Sequence, residues 1–558
     1  MRHRLTYIQN PSAPYSPSQT TLTRDALHID SIDAAREERI TLGFDEIPVE
    51  VWSVLRHTHE VHIRWSREGK YEAVSPMGSR VSPGLHVFYS PLVSAGKFGE
   101  GVESEGEGEG SRAGIALCTL LKNIFDDGLN CESAEKSFIT PPILSTRFAS
   151  TAAYQYHSLL PTLTNLATYI EQKICTGTSA TAADKGECHS RAKLLLSADS
   201  LDINYDSISH AVTVSAFWAE APGVGYGEGE GQGQGQGRGW TEIIKKNRGG
   251  AEQVEVGLLG AEQANDVEEI KMGGLLGVVG RDEEMKPTLF SFPSRHHALP
   301  TDATYTVSFN APTGLHPEMT IALSPEALKE PPARPDASCA LHTYLTLPSS
   351  TFGDKYQLST SDPLFLKSHN IAALRAVSGE TDLEAPDWSV SRWGSTWLLE
   401  LASPSSEESA NVGNGNWNVT IPLHLRYLHP SPSGYRSASI PWPVVFWACT
   451  AEDGTKMGVN PFDRVDLGWE GLFGPRTMFY QVHPAPVRED GLLVEKIDVP
   501  VLALDERDGF LSGRVIELGT VAVISLGFLW VLWKLGLIAR SNGIRPQGRA
   551  ADKGSKAQ

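Results

Sequence analysis

The densest run of side chains that could bind a metal or move a proton is HTHEVH, from His57 to His62. Zinc proteases carry HExxH on a helix, where both imidazoles share one face, but the spacing here is HExH. On a strand, His57 and His59 would share one face while His62 would point to the other. We therefore expect ordinary surface and half-buried histidines in this segment, and no metal site.

Other motifs that accompany catalysis are absent or lack their context. His296 and His297 are adjacent in sequence, so their imidazoles diverge on any regular element. Asp126 and Asp127 stand outside any P-loop or DxD-type motif, and the chain has no GxSxG nucleophile elbow. The sequence therefore predicts no catalytic residue, no cofactor or cofactor-binding residue, and no metal ligand.

Charge and cysteine content limit the partners and the compartment. The chain has 558 residues, with 67 acidic against 48 basic side chains and a formal net charge of −19, which argues against a nucleic-acid partner. Its six cysteines form no CxxC pair, which excludes a zinc ribbon and a thioredoxin-type motif. An even number of cysteines suits an oxidising compartment, and spacing alone leaves the pairing open.

One residue is a candidate for modification. Asn418 begins the sequence Asn-Val-Thr, the only N-glycosylation sequon in the chain. Apolar residues recur at every second position from Trp417 to Tyr427, which predicts a half-buried strand with Tyr427 on its apolar side. Asn418 falls on the polar side, where a glycan needs to be, and Pro422 places the strand at an edge or a bulge.

An apolar stretch near the end of the sequence predicts a membrane anchor. Eleven of the twenty residues Leu518–Leu537 are Leu, Ile, Val or Phe, and Lys534 carries the only charge. Twenty helical residues extend ~30 Å, the thickness of the hydrocarbon core, and these side chains favour insertion by roughly 5 kcal/mol. We expect one transmembrane helix at 515–538 and no GPI signal, because a GPI signal would place its apolar tail last.

Basic residues indicate the orientation of this helix. Five Arg or Lys residues follow the apolar stretch, whereas only Arg507 and Arg514 lie between Val501 and Glu517. Because basic residues favour the cytosolic side, the tail should be cytosolic and the bulk of the chain lumenal. No signal peptide is recognisable, so composition leaves open a tail-anchored protein with a cytosolic bulk. The sequon at Asn418 favours the lumenal orientation.

The remaining sequence predicts many short strands joined by turns rich in Gly, Pro and Ser. Alternation is clear at Val61–Trp65 and Val212–Ala216, and one amphipathic helix is expected at Pro161–Ile174. Two glycine-and-acid tracts, Glu100–Gly110 and Gly223–Gly239, should be flexible loops or linkers. The expected fold class is mainly β, with one or more lumenal β-sandwich-like domains and a C-terminal single transmembrane helix.

Several segments carry a resemblance to a known family. They are FSFPSRHHALP (290–300), YTVSFNAPTGLHPEM (305–319), CALHTYLTLPSSTFGDKYQL (339–358), IPLHLRYLHPSPSGY (421–435), IPWPVVFWAC (440–449) and VNPFDRVDLGWEGLFGPRTMFYQV (459–482). Through them, residues 290–484 resemble the PIG-X family, the accessory subunit of GPI mannosyltransferase I. The residues that match the family pattern are Leu347, Pro348, Phe352, Asp354, Tyr356, His424, Leu425, Arg426, Tyr427, Pro441, Pro443, Val444, Val445 and Cys449. The segment at 62–91 is similar to the N-terminal extension of fungal members.

With this resemblance the chain divides into domains and connecting parts. We expect an N-terminal fungal-type lumenal domain at 1–222, with an acidic Gly-rich insertion near 100–110, and a low-complexity linker at 223–286. A PIG-X-like β domain at 287–485, a lumenal stalk at 486–514, the transmembrane helix at 515–538 and a basic cytosolic tail at 539–558 should follow.

The resemblance implies an ER membrane protein without catalytic residues of its own. Family members stabilise the multi-spanning catalytic subunit that adds the first mannose to the GPI-anchor precursor, and fungal members are linked with folding of other ER proteins. We therefore expect a type III, single-pass ER glycoprotein whose partners are that catalytic subunit and the ER membrane, with no nucleic acid. Two alternatives are a general ER chaperone or cargo receptor, with many clients, and a membrane-tethered lumenal hydrolase, with a pocket of converging acidic residues.

Two further expectations concern particular residues. Cys339 and Cys449 lie within matched motifs in an oxidising compartment, so the resemblance implies a disulfide between them, with two buried free thiols as the alternative. His424 and Arg426 lie on the polar side of a strand that Pro422 marks as an edge, so we expect them to contact the catalytic subunit. The alternative is that Arg426 pairs with a carboxylate of its own domain.

Overall fold

The computed structural model describes residues 2–10, 16–92, 106–141, 153–176, 182–222, 239–246, 253–310, 314–404, 415–452, 460–464, 466–503 and 513–541. Two compact units divide the chain. The first comprises residues 1–428 and 437–499, and the second comprises residues 429–436 and 500–558.

The strands of the first half are β1 (Arg2–Gln9), β2 (Thr20–Leu22), β3 (Ala26–Ile32), β4 (Ala34–Gly43), β5 (Thr58–Ser66), β6 (Gly84–Pro91), β7 (Tyr154–Ser158), β8 (Ser200–Asp206), β9 (Ala211–Trp218), β10 (Trp240–Lys245), β11 (Val254–Glu262), β12 (Glu269–Val279) and β13 (Lys286–Pro293). Those of the second half are β14 (His296–Ala298), β15 (Thr304–Phe309), β16 (Glu318–Leu323), β17 (Ala337–Pro348), β18 (Thr351–Phe352), β19 (Ile371–Gly379), β20 (Gly394–Leu401), β21 (Trp417–Pro422), β22 (His424–Leu425), β23 (Tyr435–Pro441), β24 (Val444–Ala451), β25 (Thr477–Gln481), β26 (His483–Pro484) and β27 (Val494–Pro500). The helices are α1 (Val49–Leu55), α2 (Gly106–Ile124), α3 (Ala134–Ser137), α4 (Thr164–Tyr169), α5 (Ala182–Leu194), α6 (Lys355–Leu358), α7 (Pro363–His369) and α8 (Gly513–Ser541).

Ten strands of the first half form one sheet, in the order β13-β12-β11-β1-β4-β9-β8-β5-β6-β7. Within it β1 pairs antiparallel with β4 but parallel with β11, which places Leu5 beside Val256. One face of the sheet is apolar, because side chains such as Leu5, Val61 and Leu85 alternate with polar neighbours and join one buried core. Leu55 of α1, Leu117 of α2 and Leu166 of α4 belong to the same core, so these helices cover this face.

The prediction of a linker at 223–286 is wrong for the part that the structure describes. Residues of this region form β10, β11 and β12, and two of these strands lie inside the ten-stranded sheet. Glycines weaken isolated strands, but Gly257, Gly260 and Gly273 are held here by pairing along the whole of β11 and β12. The tract at 100–110 is also partly regular, because α2 begins at Gly106. Residues 223–238 lie outside the described part of the chain.

The second half is a sandwich of two sheets. Six strands run in the order β14-β25-β24-β17-β20-β19, and four run in the order β21-β16-β15-β26. Leu345, Trp397 and Val445 of the larger sheet pack with Ile321 and Val419 of the smaller one in a single buried core. The mainly β fold class with a sandwich is thus the observed one.

The outer face of the six-stranded sheet is turned toward the first half. Tyr344, Phe446 and Phe479 on this face share a core with Val81 of the first half and Trp469 of the loop before β25. The amide nitrogen Nε2 of Gln155, in β7, lies 3.3 Å from the hydroxyl of Tyr344. The first unit therefore stacks the ten-, six- and four-stranded sheets as three β layers, and Leu467 and Trp469 of the loop before β25 lie between the two larger sheets.

The predicted transmembrane helix corresponds to α8. Residues Val515–Arg540 form a stretch long and apolar enough to cross a membrane, with a mean hydropathy of 2.2. The predicted helix at Pro161–Ile174 is shorter at its start, because α4 begins at Thr164 and is followed by a π-helical turn at Ile170–Ile174.

The single strand predicted from Trp417 to Tyr427 is broken at Pro422. β21 ends there and pairs with β16 at the edge of the four-stranded sheet, while β22 pairs with β18 in a separate ladder. Proline lacks the amide hydrogen that would continue a ladder. The break ends the alternation as well, so Tyr427 is 62% exposed and not on the apolar side as predicted.

Candidate functional site

The histidines of HTHEVH do not form a metal site. On β5, Glu60, His62 and Arg64 point away from the apolar core, toward the second half, and all three are buried. His59 Nδ1 lies 3.3 Å from Ser207 Oγ. Among the described residues, no group of three or more His, Cys, Asp or Glu side chains is arranged to hold a metal ion.

A buried charged layer instead joins the two halves, and we define it by the residues of three segments. β5 contributes His62 and Arg64, β8 contributes Asp202 and Asn204, and the loop before β25 contributes Arg464, Asp466 and Glu470. Alternation explains the first two sets, since residues two apart on neighbouring strands share one face of a sheet. Strand alternation does not predict where the side chains of the loop residues point. Asp466 has a positive φ of 61°, which is uncommon for a non-glycine residue.

Ion pairs and hydrogen bonds link the three segments of the charged layer. Asp202 lies between two guanidinium groups: its Oδ1 is 3.4 Å from Arg64 Nε and its Oδ2 is 2.8 Å from Arg464 Nε. His62 Nε2 is 3.0 Å from Asp466 Oδ2, and His62 Nδ1 is 2.9 Å from Asn204 Oδ1. Because each pair crosses between elements distant in sequence, the layer fixes how the loop sits on the ten-stranded sheet.

A second set of contacts holds the other end of the loop. Glu470 Oε1 is 2.6 Å from His296 Nε2, and Glu470 Oε2 accepts a hydrogen bond of 3.2 Å from the backbone nitrogen of Leu467. Burial is the largest single influence on Glu470 and opposes its ionisation, but the hydrogen bond from His296, the electrostatic attraction of His296 and Arg295 and the hydrogen bond from Leu467 together outweigh it and hold the pKa of Glu470 below its usual value. Glu470 is therefore ionised, and its negative charge is stabilised by the contacts with His296 and the backbone of Leu467.

Burial raises the pKa of two further carboxyls in this loop. It raises the pKa of Asp466 to about 7, with Glu470 adding to the effect and Arg64 opposing it. It raises the pKa of Asp463 to about 6. Burial and the charge of Arg64 lower the pKa of His62 to about 4. Such groups are typical of catalytic acids and bases, but also of structural ion-pair networks.

The volume of the cavity beside the charged layer distinguishes a catalytic site from a structural ion-pair network. The cavity lined by Asp202, Asn204, Asp463 and Arg464 has a volume of about 40 Å³. A cavity of this kind holds a water molecule or two, whereas small-molecule sites enclose roughly 300–1,000 Å³. The converging acidic residues that a lumenal hydrolase would need are present, but they are enclosed, and Asp202, Asp466 and Glu470 contact arginine or histidine side chains. The arrangement is suited to joining the halves and not to admitting a sugar or a lipid.

The charged layer was not predicted from the sequence. Its signals were a charged or polar residue at every second position of β5 and β8, and the run DRVDLGWE at 463–470. Charges that alternate along a strand ordinarily indicate a solvated face. Here a second sheet covers that face, and only the fold shows it.

Asn418, the predicted glycosylation site, lies on an edge strand with its side chain exposed. Residues of β21 alternate between buried and accessible, and Asn418 is among the accessible ones. Its backbone carbonyl accepts a hydrogen bond of 2.9 Å from the side-chain amide of Asn370. The geometry leaves room for a glycan on this face.

All six cysteines are joined in pairs. Cys339 of β17 and Cys449 of β24 are directly opposite in the ladder and form a disulfide with a Cα–Cα distance of 4.0 Å. Cys118–Cys131 and Cys175–Cys188 each close a sequence separation of 13 residues in the first half.

The predicted partner-contact residues have different surroundings. His424 is half-buried, and its Nδ1 lies 3.0 Å from Nδ1 of His316. Arg426 is only 2% exposed, so its guanidinium does not lie at the surface in this structure, and a partner contact through this residue stays a prediction. Its Nη1 donates hydrogen bonds to the carbonyl oxygens of Asp382 and Ala385, at 2.5 and 2.7 Å, and its guanidinium lies 4.2 Å from the centroid of Phe352. These partners are carbonyls and a ring, and not the carboxylate that the alternative named.

These features define a class of protein: a layered β protein with a helix that could anchor it in a membrane. A family model described as PIG-X / PBN1 matches residues 312–536, which include most strands of the sandwich and most of α8. Protein pbn1 of Emericella nidulans is 68% identical over 547 residues, which are 98% of each chain. Protein pbn1 of Neurospora crassa is 37% identical over 99% of this chain and 98% of its own. Protein PBN1 of Saccharomyces cerevisiae is 30% identical over 41% of this chain and 48% of its own.

This chain belongs to the PIG-X / PBN1 family. Membership supports a role related to GPI-anchor biosynthesis, within the GPI mannosyltransferase complex. The family is generally one of non-catalytic accessory subunits. Its relatives and the apolar helix α8 together fit a protein anchored in a membrane.

Proposed function

We propose that this chain is a non-catalytic, single-pass subunit of the ER membrane that stabilises the multi-spanning catalytic subunit of GPI mannosyltransferase I. It thereby supports addition of the first mannose to the GPI-anchor precursor. The observation that carries this proposal is the family match at 312–536, which runs without a break from the sandwich into the helix. A subunit that must meet a membrane enzyme needs both parts.

The stabilisation has a simple physical basis. A protein that binds the folded form of a partner, and not its unfolded form, shifts the folding equilibrium by mass action. At a concentration of ~100 times the dissociation constant this amounts to ~2.7 kcal/mol, which is a large share of the stability of most proteins. Loss of the subunit then lowers the amount of enzyme without any change in the chemistry of its active site.

The proposed topology has the first unit in the ER lumen and the tail at 539–558 in the cytosol, which makes the chain a type III protein. The basic residues after α8 and the exposed position of Asn418 support this orientation. The closed disulfides suit an oxidising lumen. Occupied Asn418 would make the chain a glycoprotein, and folding of other ER proteins would be a second activity of the same lumenal part.

Conditional depletion of this chain tests the proposal. We expect the catalytic subunit to fall several-fold in abundance while its mRNA is unchanged, and GPI precursors without mannose to accumulate. A pull-down in mild detergent should recover the same catalytic subunit. Undiminished catalytic subunit after depletion would contradict the proposal, and an equal loss of many unrelated ER proteins would favour a general chaperone.

A further inference from the structure

Three large apolar side chains are exposed around the buried Arg426. Leu383 is 44% exposed, Trp388 is 53% exposed and Tyr427 is 62% exposed. We call them the Trp388 patch. Aromatic side chains bury 150–250 Å² each when fully covered, so these three leave roughly 300 Å² of largely apolar surface open to solvent. This area is too small for a whole interface of ~800 Å² per partner. It is large enough for the central cluster of residues that carries most of the binding energy in an interface.

The loop that carries the Trp388 patch is held in place from beneath. Arg426 Nη1 donates to the carbonyl oxygens of Asp382 and Ala385, which flank Leu383. The backbone nitrogen of Asp387 donates to the carbonyl oxygen of Tyr427 at 3.1 Å, which draws Trp388 and Tyr427 together. The patch is thus pre-organised, and a partner that binds it does not have to order the loop. Arg426 acts as a positioning residue for this surface.

Acidic side chains are frequent in the loop that carries the apolar centre. Glu380, Asp382, Glu384 and Asp387 all lie in the same loop, and those at 380, 382 and 387 favour the charged form of Arg426. Arg426 itself is buried beneath the loop, so the surface of the patch is apolar with an acidic rim. Complementary charge selects partners and rejects wrong ones, so such a surface favours a segment with apolar and basic side chains. An anionic membrane surface would be repelled.

We propose that the Trp388 patch is the surface that binds the catalytic subunit, through a lumenal segment of that subunit with apolar and Lys or Arg side chains. This inference rests on the proposed function and adds the place of contact and the chemistry of the contacting segment. It replaces the predicted contact through Arg426 with the exposed residues that Arg426 holds in position.

Site-specific photo-cross-linking in the full-length chain tests the contact. A benzophenone amino acid replaces Tyr427 in one variant and Phe44 in a control, because Phe44 is a comparably exposed aromatic residue, at 57%, in the first half. Irradiation of intact ER membranes should give an adduct with the catalytic subunit from position 427 and none from position 44. Mass spectrometry should place the adduct beside Lys or Arg residues of a lumenal segment. An adduct with lipid alone, or none with the catalytic subunit, overturns the inference.

Substitutions test the chemistry of the patch. Trp388→Ala combined with Tyr427→Ala should lower co-purification of the catalytic subunit at least tenfold, while the abundance and Asn418 glycosylation of this chain stay unchanged. Glu384→Lys should lower it several-fold, whereas Glu283→Lys, at an exposed turn in the first half, should not. Normal co-purification in both patch variants overturns the inference. A native chain that recovers no catalytic subunit at all overturns the proposed function instead.

Discussion

Asp466 and His62 have opposite effects on stability as the pH changes. The pKa of Asp466 is raised to about 7, so this carboxyl contributes stability at low pH that is lost as the pH rises from ~4 toward 7. The pKa of His62 is lowered to about 4, so the imidazole contributes stability above ~6.5 that is lost as the pH falls toward 4. Across the overlapping range the two contributions offset each other.

Asp466→Asn should therefore expose the contribution of His62. We expect the thermal midpoint of the variant to rise more steeply with pH between about 4.5 and 6.5 than that of the native chain, because the contribution of the His62 imidazole is no longer offset by that of Asp466. The midpoints are measured on purified protein in detergent at several pH values. Asp302→Asn, at an exposed carboxyl outside the charged layer, is the matched control and should leave the slope unchanged. Equal slopes in the native chain and the Asp466 variant would show that the carboxyl is ionised throughout.

Asn418 offers a direct test of compartment at the level of one side chain. Endoglycosidase treatment should increase the electrophoretic mobility of the native chain, because the sequon lies on an exposed strand edge. Asn418→Gln should abolish the shift, whereas Asn416→Gln, two residues earlier and outside any sequon, should retain it. A native chain that does not respond would argue against an occupied glycan.

Among the elements, β17 and β24 are joined by the disulfide that spans the longest stretch of chain. The separation between Cys339 and Cys449 is 110 residues, against 13 for Cys175 and Cys188. A cross-link over the longer loop restricts the unfolded chain more, by ~4.7 against ~3 kcal/mol on chain entropy. We expect replacing both Cys339 and Cys449 by Ala to lower the free energy of unfolding by about 2–5 kcal/mol.

Urea unfolding of the two double variants measures this difference. The variant without the bond between Cys175 and Cys188 is the control, and its midpoint should fall less. An equal or larger fall in the control would mean that the ladder between β17 and β24, and not the cross-link, already restricts the unfolded ensemble.

Local patterns predicted some elements and missed others for a physical reason. The alternation around Asn418 and the apolar run of α8 are read within a few residues, so α8 was predicted in place and the strand was predicted correctly as far as Pro422. β11 and β12 are stabilised by pairing with each other and, for β11, with the distant β1. This pairing is not visible in the local sequence, where the glycines indicated a linker and not strands. The charged layer and the burial of Arg426 arise only when a second element covers a polar face. Sequence alone shows the charge of such residues but not what lies against them.

At the scale of the whole molecule, the three β layers make the second half dependent on the first. The outer face of the six-stranded sheet carries Phe446 and Phe479, which pack with Val81 of the first half. A fragment limited to 287–485 would expose this face and the unpaired charges of Arg464 and Asp466. We expect that fragment to aggregate on size-exclusion chromatography, while residues 1–500 remain monomeric. A well-folded, monomeric 287–485 fragment would show that the halves are independent.

The orientation of the whole chain can be tested in sealed microsomes. A tag after Gln558 should be removed by added protease, because the proposed tail is cytosolic, while the first unit stays protected until detergent is added. Protection of that tag would reverse the assignment and place the bulk of the chain in the cytosol.

The central position of β1 determines the order in which the first half can be completed. Leu5 pairs with Val256, about 250 positions later, so one side of β1 stays open until β11 has been synthesised. At ~5–20 residues per second the ribosome needs roughly 12–50 s to reach β11. During that interval the nascent chain presents an unsatisfied strand edge to every neighbouring polypeptide. A protein proposed to protect an enzyme from misfolding is therefore itself dependent on protection while it is being translated.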